Sequence, residues 1–136
     1  RTIAADLLVP AAGSYVIDAG IAAGLDVSVI AEAANVATSA DAEAALAARG
    51  VAVVPDFIAN MATNAWWWWI LTGDIALTCK AAFARTDELM HALVGEAITR
   101  TDPGRPLRDA AMAMARERMD RAIADAAASG APSGVG

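Results

Sequence analysis

Two asparagines, Asn35 and Asn60, stand at equivalent places in the chain, each a few residues past a short β-branched run. The first run, residues 27–30 (VSVI), leads into Glu32-Ala33-Ala34-Asn35. The second, residues 51–54 (VAVV), leads into Pro55-Asp56 and then Asn60. Lying just past the carboxyl ends of two strands, the two asparagines are the best site candidates in the sequence. Asp6-Leu7-Leu8-Val9-Pro10 reads as a third such run, and Ala11-Ala12-Gly13 beyond it would let a flat ligand approach the backbone closely. Two bland readings stand beside these. The small residues also suit a tight strand-to-helix turn, and an asparagine after a strand commonly satisfies local backbone.

The elements that position these residues follow from the pattern between the runs. Thr38 or Ser39 can cap an alanine-rich helix whose positive end carries Asp41 and Glu43, and Arg49-Gly50 closes it. Residues 14–23 form a shorter helix ended by Gly24. The order is therefore βαβαβ, a partial Rossmann-like parallel sheet of α/β class, followed by a helical segment. In such open sheets ligands bind outside the carboxyl ends of the strands, where Asn35 and Asn60 lie. Three regions are expected: residues 1–60 as half of a dinucleotide-binding domain, 61–128 as a helical segment packing on it and on a partner, and 129–136 as a flexible tail.

Three separated stretches, "ADLLVPAA", "AEAAN" and "TSADAEAALAARGVAVVPDFIAN", resemble the nucleotide-binding domain of the glutamate/leucine/phenylalanine/valine dehydrogenases. That family reads approximately D-x-L-x-P-A-A, then E-G-A-N, then R-G-I-x-V-x-P-D-x-x-x-N-A-G-G-V. The match runs from Ala5 to about Asn60. The resemblance implies an NAD or NADP cofactor, with Pro10, Ala11, Ala12, Glu32, Asn35 and Asn60 on its nicotinamide-ribose side. Ala33 stands where glycine is usual. After Asn60 the chain departs from the pattern: Met61-Ala62-Thr63-Asn64 replaces the glycines, and Trp67 aligns with a serine that in the family helps to hold the substrate carboxylate.

Two requirements of such an enzyme are missing. No G-x-G-x-x-G occurs, so the chain has no pyrophosphate cradle of that kind. Lys80 is the single lysine and sits in a predicted helix, whereas the family's substrate domain supplies lysines and an aspartate for proton transfer. No residue here is assigned a catalytic role. The expectation is a carboxyl-terminal segment or separate subunit of a glutamate/amino-acid-dehydrogenase-like oxidoreductase, inactive alone. A companion polypeptide in a homo- or hetero-oligomer would supply the phosphate loop and the substrate domain. The alternative is a non-catalytic structural subunit that keeps the fold.

Composition narrows the partners. A formal charge of −6 argues against a nucleic-acid backbone. Cys79 is the single cysteine, which excludes an intrachain disulfide and fits a reducing, cytoplasmic setting. His91 has no second ligand at metal spacing, so no metal is expected. The chain opens on Arg1 without a signal-peptide pattern, and a processed product or a piece of a larger polypeptide is expected.

Trp66-Trp67-Trp68-Trp69 is the other unusual stretch. Stepping by about 100° per residue, four consecutive side chains sweep most of a helix circumference. One buried face cannot hide them all, and each ring carries roughly 150–250 Å². Either the helix is a well-covered core element, or a second domain or chain surrounds it. A membrane span is not expected, because Asn60, Asn64 and Asp74 interrupt the apolar run. From Ile75 onward the chain reads as helical, with Thr86 capping a helix that turns Leu89, Leu93 and Ala97 to one side. A loop at 101–106 precedes a long helix, 107–128. There Met112, Ala115, Met119, Ala122, Ile123 and Ala126 read as a core stripe, and Glu117–Arg121 as a surface pair.

Overall fold

The computed structural model describes residues 4–129. Three strands, β1 (Ala4–Leu8), β2 (Asp26–Ala31) and β3 (Ala52–Val54), form one parallel sheet in the order β1-β2-β3. Helices α1 (Ala19–Gly24) and α2 (Ala40–Ala48) make the two crossovers. A short α3 (Asp56–Ala59) leads to the tryptophan helix α4 (Ala62–Thr72), then to α5 (Cys79–Arg100) and α6 (Leu107–Ala128). The expected partial Rossmann-like βαβαβ arrangement with a helical continuation is the architecture observed. Of the tail expected at 129–136, Ser129 caps the end of α6, and residues 130–136 lie outside the described residues.

Register explains the first core. Leu8, Ile30 and Val53 are neighbours across the three strands. They pack with Ala22 of α1 and with Ala42 and Leu46 of α2. Small alanines let these helices sit close to the sheet, and the branched strand residues supply most of the apolar volume. Arg49 fixes the crossover at its far end, donating to the carbonyls of Ala22 and Leu25 at 2.7 and 2.6 Å. Gly50 turns the chain out of α2 with φ of 81°, which a side chain would strain.

The second core joins the long helices to β3. Leu93 and Ala97 of α5 and Leu107, Ala111 and Met114 of α6 close on Ile58, with Val54 and Phe57 beside them. The face of α5 read from the sequence packs as expected. The face of α6 does not: Met112, Met119 and Ile123 are exposed, Met119 at 60%. Methionine and alanine recur on several sides of this helix, so more than one stripe fits the spacing, and contact with α5 selects Leu107, Ala111 and Met114. Glu117 also pairs with Arg100 of α5, 2.8 Å away, rather than with Arg121.

Two helix starts differ from expectation for reasons of hydrogen bonding. Helix α1 begins at Ala19 because Asp18 caps it, accepting from the Ile21 N–H at 2.8 Å. Residues 15–17 are instead drawn into backbone bonds with the loop after β2. Helix α5 begins at Cys79, capped by Thr78, whose hydroxyl accepts from the Ala81 N–H. Thr86 lies inside it.

Helix α2 also buries a charge. Glu43 falls on the face of Leu46 and Ala47 and is 2% exposed. Burial raises its carboxyl pKa above the ordinary 4.5, outweighing the hydrogen bond and charge of Arg108. A carboxyl raised in the fold contributes stability that is complete below its ordinary pKa and lost as pH rises through the folded value. Glu43→Gln should therefore gain stability relative to the parent as pH rises from 4 to 8, read from urea midpoints; a constant difference across that range would refute the burial account. In the same assay Leu46→Ala should cost about 2–5 kcal/mol. Met119→Ala should fall within about 0.5 kcal/mol of the parent.

Candidate functional site

The carboxyl ends of the three strands meet in one cluster of loops. Past β1, the Pro10 carbonyl accepts the N–H groups of Ala33 and Ala34 at 3.1 and 2.9 Å, tying the first loop to the second. Further out, Tyr15 donates to the Val36 carbonyl at 2.7 Å, and Ile17 and Thr38 form a parallel bridge. Past β3, Asn60 closes α3 and its side-chain amide reaches back over the second loop. Asn60 Nδ2 donates to Asn35 Oδ1 at 2.8 Å and lies 3.4 Å from the Ala33 carbonyl. The two asparagines, 25 residues apart in sequence, are thus in direct contact.

Pro10 is buried, Ala11, Ala12 and Asn35 are exposed, and Asn60 is half-buried. The small residues and the two amides therefore border one open surface at the carboxyl edge of the sheet. Glu32 is placed differently. It is fully buried beneath that surface, and its carboxylate faces inward. Oε1 accepts from the Thr38 N–H at 2.6 Å; Oε2 accepts from the Asp56 N–H at 3.0 Å and from Arg108 at 2.6 Å.

Arg108, near the start of α6, is the residue that the sequence reading missed. Its guanidinium contacts Glu32, Glu43 at 2.7 Å and Asp56 at 3.1 Å, and lies 5.6 Å from the centre of the Phe57 ring. Burial opposes its charge, but the hydrogen bonds and charges of Glu43, Asp56 and Glu32 prevail and raise its pKa. One signal was available: Glu43 shares the helical spacing of Leu46 and Ala47, and a carboxylate on an apolar face calls for a cation. Which of the nine arginines supplies it depends on contacts 52 to 76 residues away.

Strain marks the same loops. Tyr15 and Val36 have φ of 55° and 48°, a left-handed conformation that β-branched valine rarely adopts. Such residues cost on the order of 1–3 kcal/mol and persist where surrounding bonds hold them, as the Tyr15–Val36 bond does here. Val36 directly follows Asn35, so the strained peptide helps to set that amide's position. Among the described residues, no group of His, Cys, Asp and Glu is arranged to hold a metal ion. None of the described helices is long and apolar enough to cross a membrane.

Residues 1–126 match the model of the Glutamate/Leucine/Phenylalanine/Valine dehydrogenase family. The chain is 35% identical over 126 residues to the NADP-specific glutamate dehydrogenase A1 of Halobacterium salinarum, covering 87% of this chain and 30% of that relative. Among solved structures it resembles the hetero-hexameric glutamate dehydrogenase of Thermus thermophilus in its Leu bound form. There the TM-score is 0.71 at 26% identity, over 86% of this chain and 29% of the other. The L-tryptophan dehydrogenase of Nostoc punctiforme shares the fold, with a TM-score of 0.70 at 22% identity over 88% of this chain and 36% of its own. The chain spans about a third of the length of these proteins and belongs to the Glutamate/Leucine/Phenylalanine/Valine dehydrogenase family.

Proposed function

We propose that this chain forms the nicotinamide-ribose side of the cofactor site in an amino-acid-dehydrogenase-like NAD(P)-dependent oxidoreductase. A companion polypeptide completes the enzyme. The observation that carries this reading is the Asn60–Asn35 hydrogen bond beside Pro10-Ala11-Ala12 at the carboxyl edge of the sheet. With that bond made, the Asn35 Nδ2 donors and the Asn60 carbonyl oxygen have no hydrogen-bond partner among the described residues. A sugar diol, donor and acceptor at once, fits such a pair. A nicotinamide nucleotide bound there would supply the hydride acceptor or donor. The residues of this chain bind and orient: the amides hold the sugar, Ala11 and Ala12 admit a flat ring, and Glu32 braces both loops from behind.

The companion supplies what the chain does not contain, a glycine-rich phosphate loop and the proton-transfer residues. Two surfaces support its presence. Strand β1 is an edge strand with Leu7 54% exposed and Val9 also exposed, an arrangement that proteins normally cover. Helix α4 buries none of its residues, and Trp67 and Trp68 are 55% and 63% exposed. An apolar surface of this kind marks an interaction site. On this reading residues 1–60 are half of the nucleotide domain, and residues 61–128 pack on it and meet the companion. The NADP-specific glutamate dehydrogenase of Halobacterium salinarum supports NADP as the cofactor on this reading, and we propose a cytoplasmic enzyme.

A second reading, a structural subunit without chemistry, is favoured by Trp67, whose ring cannot reproduce the short hydroxyl contact of the family serine. Native mass measurement with an assay over amino and 2-oxo acids separates the two. Turnover by a particle of more than one chain is expected; a stable assembly that binds neither NADH nor NADPH would favour the structural role. For the site itself, Asn35→Ala and Asn60→Ala should each weaken reduced-nucleotide binding to the assembly about tenfold, equal to about 1.4 kcal/mol. Calorimetric titration of NADH and NADPH reads this directly, and affinity equal to the parent's in both variants would remove the assignment.

A further inference from the structure

Arg108 is separated from Asn35 by 73 positions and from Asn60 by 48, yet it contacts a carboxylate a few residues before each of them. Glu32 precedes Asn35 by three residues and Asp56 precedes Asn60 by four. One terminal nitrogen of Arg108 meets Glu32 Oε2 at 2.6 Å, and the other meets Asp56 Oδ1 at 3.1 Å. The same Glu32 oxygen accepts the Asp56 N–H, so loops, carboxylates and guanidinium form a closed ring of hydrogen bonds. Glu43 takes the remaining Nε–H at 2.7 Å and fixes the plane of the guanidinium. Glu32 in this ring is fully buried, Asp56 and Arg108 are largely covered, and beyond it stand the two asparagines in mutual contact.

We infer, resting on the nucleotide-binding reading above, that Arg108 is a positioning residue that sets the spacing of Asn35 and Asn60 and hence the affinity for the nicotinamide ribose. The planar fork is what the role requires. Lysine keeps the charge, but its three donors share one nitrogen on a flexible stem and cannot hold two carboxylates at fixed separation while a third fixes the orientation. Helix α6 thereby reports to the site: any shift of its first turn is transmitted to both loops through one side chain.

The experiment compares ligands that do and do not reach the asparagines. In the assembly containing this chain, Arg108→Lys should weaken NADH and NADPH about tenfold and leave ADP, which lacks the nicotinamide ribose, within about twofold. Equal loss for all three ligands would reduce Arg108 to a general structural role, and no loss for any would remove it from the site; either overturns the inference. Asp56→Asn preserves shape and one acceptor while weakening the charge-assisted contact, and should show the same selectivity at about threefold. It decides the matter if Arg108→Lys fails to assemble. Asn35→Ala separates the two levels. If it and Asn60→Ala both leave NADH and NADPH binding unchanged, the nucleotide reading has failed. If it is selective and Arg108→Lys is not, only the role of Arg108 has failed.

Discussion

The buried pairing of Glu32 with Arg108 is the constraint on which the carboxyl edge of this molecule depends. A carboxylate with no exposure must be matched by donors, and Glu32 has three: two backbone N–H groups from different loops and one guanidinium. Each donor belongs to a separate part of the fold, so satisfying one side chain fixes the loop after β2, the loop after β3 and the first turn of α6 together. Ion pairs of this kind add little net stability over an apolar substitute, because desolvation offsets attraction. Removing one partner is severe, since it leaves charge uncompensated. Of the three carboxyl groups around this arginine, Glu43 has its pKa pushed upward by burial, against the hydrogen bond and charge of Arg108.

Much of the first half of the fold was legible from local patterning. β-Branched runs separated by an alanine-rich helix and a closing Arg-Gly leave few alternatives to a parallel sheet, and the asparagines were placed at its carboxyl edge by counting from those runs. Their direct contact was not legible, since it depends on α3 turning Asn60 back over the second loop. Arg108 was hidden for a similar reason. It looks like any charged residue in the opening turn of an exposed helix, and only the tertiary fold reveals the three carboxylates converging on it. The helical half was read least well. In α6, alanine and methionine on several faces make the buried stripe a property of the neighbour rather than of the helix. In α4, the question of whether four tryptophans are covered has no local answer, and within the described residues they are not buried.

The exposed surfaces share a physical logic. Leu7 and Val9 lie along the β1 edge, and Trp66, Trp67, Trp68 and Leu71 project from α4. Beside the tryptophans an apolar groove of about 450 Å³ runs between α4 and α5, with Trp66, Ile70, Leu77 and Phe83 in its walls. The two regions differ in what can cover them. A strand edge presents backbone donors and acceptors and is satisfied by another strand, which fixes its partner's direction and register. The groove presents rings and aliphatic side chains, is satisfied by apolar volume, and tolerates variation in sequence. The proposed companion therefore meets a demanding surface at the sheet and a permissive one at the helices.

That difference bears on where the chain departs from its family's pattern. Pro10, Asn35 and Asn60 are held by backbone bonds between neighbouring loops, by the asparagine contact and, through Glu32, by a buried charge. The Asn60 amide alone reaches both the Asn35 side chain and the Ala33 carbonyl. Apart from Ala33, the departures cluster after Asn60, at Met61 and into α4, which buries none of its residues. Trp67 is 55% exposed, so a tryptophan there is not forced into the packed core. On the proposed reading, the nucleotide side of the site is constrained by the fold of this chain itself, while the side toward α4 is constrained by what packs against it. A family member can accordingly keep the first and remodel the second, which is the pattern seen between Asn60 and Trp67.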